Sequence, residues 1–180
     1  MKPRSEVTLR AALPEDAPTV AEIWHLGWRD GHLGFVSQEL IEARHEGSFR
    51  TRAAKRVNDT TVAVVQDQIA GFVMVVDNEV EQVYVSALHR GEGVADMLMA
   101  DAVRRIKGAG YSTAWLAVVA GNARARRFYE RRGWSDGGLF EYAAAGDHGP
   151  IPVPSHRYVN PGQLERAAEE RPVPRLRGPT

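Results

Sequence analysis

Apolar positions along this chain change period from segment to segment, and each change marks an element. Val7-Thr8-Leu9-Arg10 predicts a short strand, and Pro14-Glu15-Asp16 a turn or helix entry. Val20, Ile23, Trp24 and Gly27/Trp28 recur at helical spacing, which predicts an amphipathic helix over about 17–29. Asp30-Gly31 and Leu33-Gly34 interrupt it. A weaker helix is expected from Ser37, a capping residue ahead of Leu40 and Ile41, and Phe49 to Val57 also reads as helical.

The period then drops to two. Thr61–Val65, Ile69–Val76 and Val80–Ser86 predict an antiparallel meander, with Gln66-Asp67-Gln68 and Asp77-Asn78 as its turns. Gly71 inside the second strand marks a bulge or a close backbone approach. Alternation places Glu79 and Glu81 on the face of Val83 and Val85.

Helical spacing returns at Gly93–Lys107, where Val94, Met97, Leu98, Ala102, Val103 and Ile106 form an apolar stripe that Gly108 and Gly110 end. A buried-type strand at Thr113–Val119 follows. Asn122 then caps a helix over Ala123–Arg131, which Gly133 stops. Strands are expected at Leu139–Ala144 and Val153–Val159. These elements predict an α/β (α+β) domain over 5–160, a mixed sheet with helices on both faces. The third meander strand, the long helix and Thr113–Val119 form a parallel crossover. Pro172, Pro174 and Pro179, among Glu and Arg, predict a flexible tail over 161–180.

Composition removes several function classes. The 180 residues include no cysteine, which excludes a disulfide framework, a thiol nucleophile and a Cys-ligated metal. Formal net charge is zero, so no broad nucleic-acid footprint is expected. No run reaches the about 18 apolar residues of a membrane span, and no signal-peptide core precedes Leu13, so a cytoplasmic protein is expected. His25, His32, His148 and His156 form no short metal motif, and no metal is expected. No interface signature stands out, and monomer or homodimer both remain open.

The candidate chemistry begins at Arg90-Gly91-Glu92-Gly93-Val94-Ala95. This segment follows a strand and opens a helix, a setting in which glycines let successive N–H groups face one anion. It matches neither the Walker arrangement nor the dinucleotide fingerprint. Taken alone, it fits an anion site or a plain turn with a charged corner.

A second block decides between them. Asn122, Ala125, Phe128, Tyr129, Gly133 and Trp134 fit Asn-x-x-Ala-x-x-Phe-Tyr-x-x-x-Gly-Phe/Trp, and Arg90–Ala95 fits Arg/Gln-x-x-Gly-x-Gly/Ala. With both patterns in register, the chain resembles the GNAT superfamily of acyl-CoA-dependent N-acyltransferases from Val7 to Val159. The resemblance implies a mostly antiparallel sheet with a V-shaped splay between the fourth and fifth strands. It implies acetyl-CoA as cosubstrate, with its pyrophosphate on the backbone of Arg90, Gly91, Glu92, Gly93, Val94 and Ala95. The pantetheine arm would follow the edge of Val83, Tyr84 and Val85, and Asn122 would contact the arm or hold the local turn.

The implied reaction moves an acetyl group directly to a primary amine, which needs a proton acceptor, a donor to the leaving thiolate and oxyanion donors. The resemblance points to Tyr129 as general acid, Glu81 as base directly or through water, and the Val85 N–H as oxyanion donor. Tyr129 also fits core packing, Glu79 is a second base candidate, and Glu81 also fits a solvated strand end. Arg124, Arg127 and Arg131 share a helix face that suits an adenosine phosphate or simple solvation. The acceptor side implied by the resemblance offers Trp28, His32, Glu79, Tyr142 and Tyr158, with His148 and His156 nearby, and Asp30 or Glu141 to hold an ammonium. A small-molecule amine is favoured over a peptide. A non-catalytic acyl-CoA-binding sensor or interaction module on the same fold is the competing reading.

Overall fold

The computed structural model describes residues 6–160. The expected tail over 161–180, and residue 5 at the domain's expected start, lie outside the described residues. Strands β1 (Val7–Ala11), β2 (Thr60–Val65), β3 (Gln68–Val76), β4 (Glu79–Val85), β5 (Ala114–Val119), β6 (Ser135–Ala144) and β7 (Ile151–Asn160) form one sheet. Its order is β1-β2-β3-β4-β5-β7-β6, and every pairing is antiparallel except β4 with β5. Helices α1 (Ala17–His32), α2 (Gln38–Ala43), α3 (Glu46–Lys55), α4 (Val94–Gly108) and α5 (Ala123–Glu130) cover its two faces.

Each face carries its own core. Trp24, Trp28, Phe49, Phe72 and Met74 gather under α1 and α3, with Trp24 edge-on to Phe49 at 5.5 Å between ring centres. Leu98, Ile106, Leu116, Tyr129, Trp134 and Tyr158 gather under α4 and α5. Burying two apolar faces of one sheet in this way supplies the main driving force for the fold.

Local chemistry sets the helix ends. Ser37 Oγ accepts from the Leu40 N–H at 3.3 Å and starts α2, as its position predicts. His45 Nδ1 accepts from the Ser48 N–H at 3.3 Å, so α3 begins at Glu46, ahead of the expected Phe49. Strand β6 also begins earlier than expected. A register irregularity between Asp136 and Leu139 absorbs Gly137 and Gly138, so the glycines do not end the strand.

β4 and β5 share one bridge, Glu79 opposite Trp115. Asn78 pins that point: its Oδ1 accepts from Trp115 Nε1 at 3.2 Å, and its Nδ2 donates to the Thr113 carbonyl at 3.1 Å. Beyond it the strands part, which is the expected splay.

A bulge in β4 overturns the face predicted for its acids. Val75 stands opposite Val80 and Met74 opposite Gln82, leaving Glu81 as the extra residue. Val80, Val83 and Val85 pack into the α4–α5 core, whereas Tyr84 packs into the α1–α3 core. Glu79 meets Tyr142, a member of the α1–α3 core, and Glu81 meets Arg56 just beyond α3. Both acids therefore sit opposite Val83 and Val85. Strict alternation fails because one inserted residue shifts the phase of everything before it.

Gly71 answers its two readings together. Ala70 beside it has no partner in β2 and is a bulge in β3, and a Cβ on Gly71 would stand 2.8 Å from the Tyr84 carbonyl oxygen. Among the described residues, no helix is long and apolar enough to cross a membrane.

Candidate active site in the splayed cleft

The parted strands open into a cleft of about 1030 Å³ that runs from the start of α4 to the ends of α1 and β6. At one end lies the glycine turn. Gly91 and Gly93 have φ of +83° and +84°, a left-handed conformation that residues with a Cβ rarely hold. Gly93 caps α4 with no side-chain hydrogen bond, so the first-turn N–H groups remain unsatisfied. Gly91, Gly93, Val94, Ala95 and Asp96 all line the cleft. A helix N-terminus with free N–H groups and its positive dipole end suits an anion.

Arg90 lines the cleft beside them, and its Nη2 donates to Asp30 Oδ2 at 2.7 Å, which ties the turn to the end of α1. Asp30, considered as an ammonium partner, is thus already paired. Glu92 is the one residue of the turn that does not line the cleft, and its Oε2 lies 3.0 Å from His89 Nδ1. Across the opening, Arg124 and Arg127 of α5 and Arg131 just beyond it line the cleft and form no ion pair with any described residue, whereas Arg132 is bound to Asp96 with one contact at 3.0 Å.

The middle of the cleft is the open edge of β4. Val83, Tyr84 and Val85 pair with Val73, Phe72 and Gly71 on one side and have no strand bridge toward β5. Tyr129 lines this section with 8% of its surface exposed. Burial raises its phenol above the ordinary range, so it is protonated at any working pH. Its hydroxyl makes no hydrogen bond with the described residues. Asn122 Oδ1 accepts from the Ala125 N–H at 3.1 Å and so caps α5, while its Nδ2 lies close to Gly31 of α1.

The far end of the cleft holds the ionisable cluster. Tyr142 donates from its hydroxyl to Glu79 Oε1 at 2.9 Å. Burial raises the Glu79 carboxyl above the usual carboxylate range, against the opposing effect of that bond. Glu81 is clasped by Arg56, whose two terminal nitrogens meet its two oxygens. His32 stacks on Trp28 with ring centres 4.8 Å apart, and its Nδ1 donates to the Trp28 carbonyl at 3.0 Å. Burial pushes His32 down to about 4, so the ring is neutral at pH 7 with Nε2 unprotonated.

Several expected pocket residues lie elsewhere. Tyr158 is fully buried in the α4–α5 core, where its hydroxyl donates to Glu130 at 2.7 Å and accepts from Arg126 at 3.2 Å. Its place in β7 faces it away from the acceptor side. His156 pairs with Asp136 at 2.9 Å, and neither it, His148 nor Glu141 lines the cleft. Among the described residues no group of three or more His, Asp or Glu could hold a metal ion.

The profile of the Acetyltransferase (GNAT) family matches residues 17–134, more than half of the chain. This protein belongs to the GNAT acetyltransferase family.

The GNAT fold extends over nearly all of the described chain. A GCN5-related N-acetyltransferase from Rhodopseudomonas palustris superposes with a TM-score of 0.68 at 21% identity, covering 88% of this chain and 98% of its own. PaiA N-acetyltransferase from Thermoplasma acidophilum, solved with coenzyme A, gives 0.60 at 17% identity over 86% and 98%. YncA from Salmonella typhimurium, solved with acetyl-CoA, gives 0.62 at 17% identity over 96% and 99%. No curated protein matches the sequence.

Two cleft residues escape sequence reasoning altogether: Arg44, just after α2, and Arg52 of α3. A signal for the second was present. Phe49, Arg52 and Arg56 are spaced i, i+3 and i+7, which puts two arginines on the core-facing stripe of α3.

Proposed function

We propose that this GNAT acetyltransferase moves the acetyl group of acetyl-CoA directly to the primary amine of a small molecule. One observation carries the reading: β4 and β5 part from a single bridge at Glu79, and the cleft between them ends on an uncapped helix N-terminus. The free N–H groups of α4, the left-handed glycines and the unpaired arginines of α5 fit a ligand with several phosphates. The unpartnered edge at Val83–Val85 fits an amide-bearing arm, which would hydrogen-bond to it as an added strand does.

Acetyl-CoA supplies a thioester, whose acyl carbon gains a bond to the amine nitrogen as its bond to sulfur breaks. The protein's task is to take one proton from the nitrogen and give one to the sulfur. Glu79 is the carboxylate we assign as base, directly or through water. Its pKa is raised by burial, one oxygen is oriented by Tyr142, and both residues line the cleft. Both oxygens of Glu81 accept from Arg56, and an ion pair with a guanidinium makes a carboxylate a weaker base. Tyr129 Oη is the donor to the leaving sulfur, kept protonated by burial and free of other hydrogen bonds. The Val85 N–H, on the open strand, is a donor for the developing oxyanion.

The test is release of free CoA from acetyl-CoA across polyamines, aminoglycosides, amino acids and peptides. Amine-dependent release is expected. Tight acetyl-CoA binding with no release for any amine would leave a binding module on the GNAT fold.

A further inference from the structure

The acceptor end of the cleft contains two guanidiniums that form no ion pair with a described carboxylate. Arg44 is 8% exposed, lines the cleft, and makes no hydrogen bond or ion pair with any described residue. Arg52 also lines the cleft and has no ion pair with any described residue; its guanidinium lies over the Trp24 ring, 4.7 Å from the centre. The Trp24 indole N–H, at a third cleft-lining residue, is buried without an acceptor.

Burial lowers Arg44 to about 10, with the Arg52 charge adding to it, and burial also lowers Arg52, with Arg56 adding to it, yet a guanidinium stays protonated at neutral pH. The carboxylates that could neutralise them are committed or too far. Asp147, on the β6–β7 turn, raises Arg44 electrostatically but forms no ion pair with it. Glu81 acts on Arg52, but Arg56 holds it. Arg44 is buried and Arg52 half-buried, and neither has a carboxylate of its own among the described residues. Two side by side at an open cleft are the signature of a site whose counter-charge arrives with a ligand.

We infer that the acetyl acceptor is an amine that also carries a carboxylate, an amino-acid-class substrate. Its carboxylate sits between Arg44 and Arg52, and its amine faces Glu79. Planar guanidiniums match a carboxylate through paired N–H bonds. Tyr142 joins the two ends: it bonds Glu79 and lies within electrostatic range of both arginines. A zwitterion is complementary to this arrangement. A polyamine or aminoglycoside would bring positive charge against two unpaired guanidiniums.

This inference rests on the acetyltransferase reading, and the experiment separates the two. CoA release is measured for the common amino acids, each beside its amide and its decarboxylated amine. At least one amino acid is expected to exceed both neutralised counterparts by roughly 10- to 100-fold in kcat/KM, chiefly through KM. Arg44→Gln and, separately, Arg52→Gln are expected to collapse that ratio. Should Arg44→Gln fail to fold, Arg52→Gln and Arg44→Lys carry the same readout.

Equal rates for acid, amide and amine, or a preference for polyamines, would overturn the inference and leave the acetyltransferase reading standing. An aminoalkylphosphonate that outperforms its carboxylate would overturn the assignment of the anion. If no amine is acetylated, the transferase reading falls, and calorimetry decides the anion site alone. Tighter binding of amino acids than of their amides would support it, and equal binding would sink it.

Discussion

Tyr142 of β6 donates its hydroxyl proton to Glu79 of β4 across the cleft, at 2.9 Å. The two residues lie on strands that are not neighbours in the sheet, so the bond exists only because the β6–β7 pair folds over that end of the cleft. It orients one carboxylate oxygen, and the other accepts no hydrogen bond among the described residues. Glu79→Gln is expected to lower kcat roughly a hundred-fold or more. A general base works deprotonated, and burial raises the Glu79 pKa, so with Glu79 as base the rate should climb with pH through a value above the usual carboxylate range. That limb should vanish in Glu79→Gln and persist in Glu81→Gln. The reverse pattern in the pH–rate profiles would place the base at Glu81.

Tyr129→Phe separates chemistry from folding. The hydroxyl makes no hydrogen bond with the described residues, while its ring packs edge-on to Phe128 at 5.1 Å. The variant should unfold at the same temperature as the parent and transfer acetyl about a hundred-fold more slowly. Unchanged turnover, measured beside the melting curve, would end the acid assignment.

Gly27 of α1 is required by its neighbour. A Cβ there would overlap the ring of Tyr84, which lies against the helix. Gly27→Ala gains about 1 kcal/mol in helix propensity. The overlap costs roughly 1–3 kcal/mol, so the net effect should be destabilising. Tyr84→Leu should relieve the penalty, giving a non-additive cycle in chemical denaturation.

Gly93 presents the opposite case. Nothing lies within 4 Å of a Cβ added there, but its φ is +84°. Gly93→Ala should cost roughly 1–2 kcal/mol through the backbone alone. Acetyl-CoA binding, measured by calorimetry, should weaken as the α4 N-terminus shifts.

Asp16 provides an acid-sensitive lock. Arg10 donates to it at 2.6 and 3.0 Å, and the Leu13 N–H at 2.7 Å. These bonds hold its carboxyl below the usual range, the one from Arg10 most strongly. The folded pKa is therefore depressed. The stabilisation is complete above the unfolded value of about 3.9 and is lost as pH falls toward the folded one. Asp16→Asn should lose roughly 1–3 kcal/mol at neutral pH. The gap to the parent should narrow in acid, as denaturation curves at several pH values would show.

Elements with strong local signals were legible directly. Ser37 and Asn122 cap the helices their positions announce, and Gly91 and Gly93 adopt the left-handed turn that their type permits. The β6 start was hidden because Gly137-Gly138 reads as a break, whereas pairing with β7 absorbs it. The acids of β4 were read on the wrong face because a one-residue bulge leaves no mark in a hydrophobic pattern. Tyr158 was misplaced for a related reason: its side of β7 depends on register with β5 and β6.

The sequence by itself determined the periodicities, the caps and the glycine turn, and with them the order of elements, since each depends on residues a few positions apart. The tertiary structure alone decided that Glu81 is held in an ion pair while Glu79 accepts only from Tyr142, and that Arg44 and Arg52 form no ion pair among the described residues. Those facts depend on distances between segments far apart in the chain. Burial and pairing arise only when the segments pack, and pairing is what separates Glu79 from Glu81.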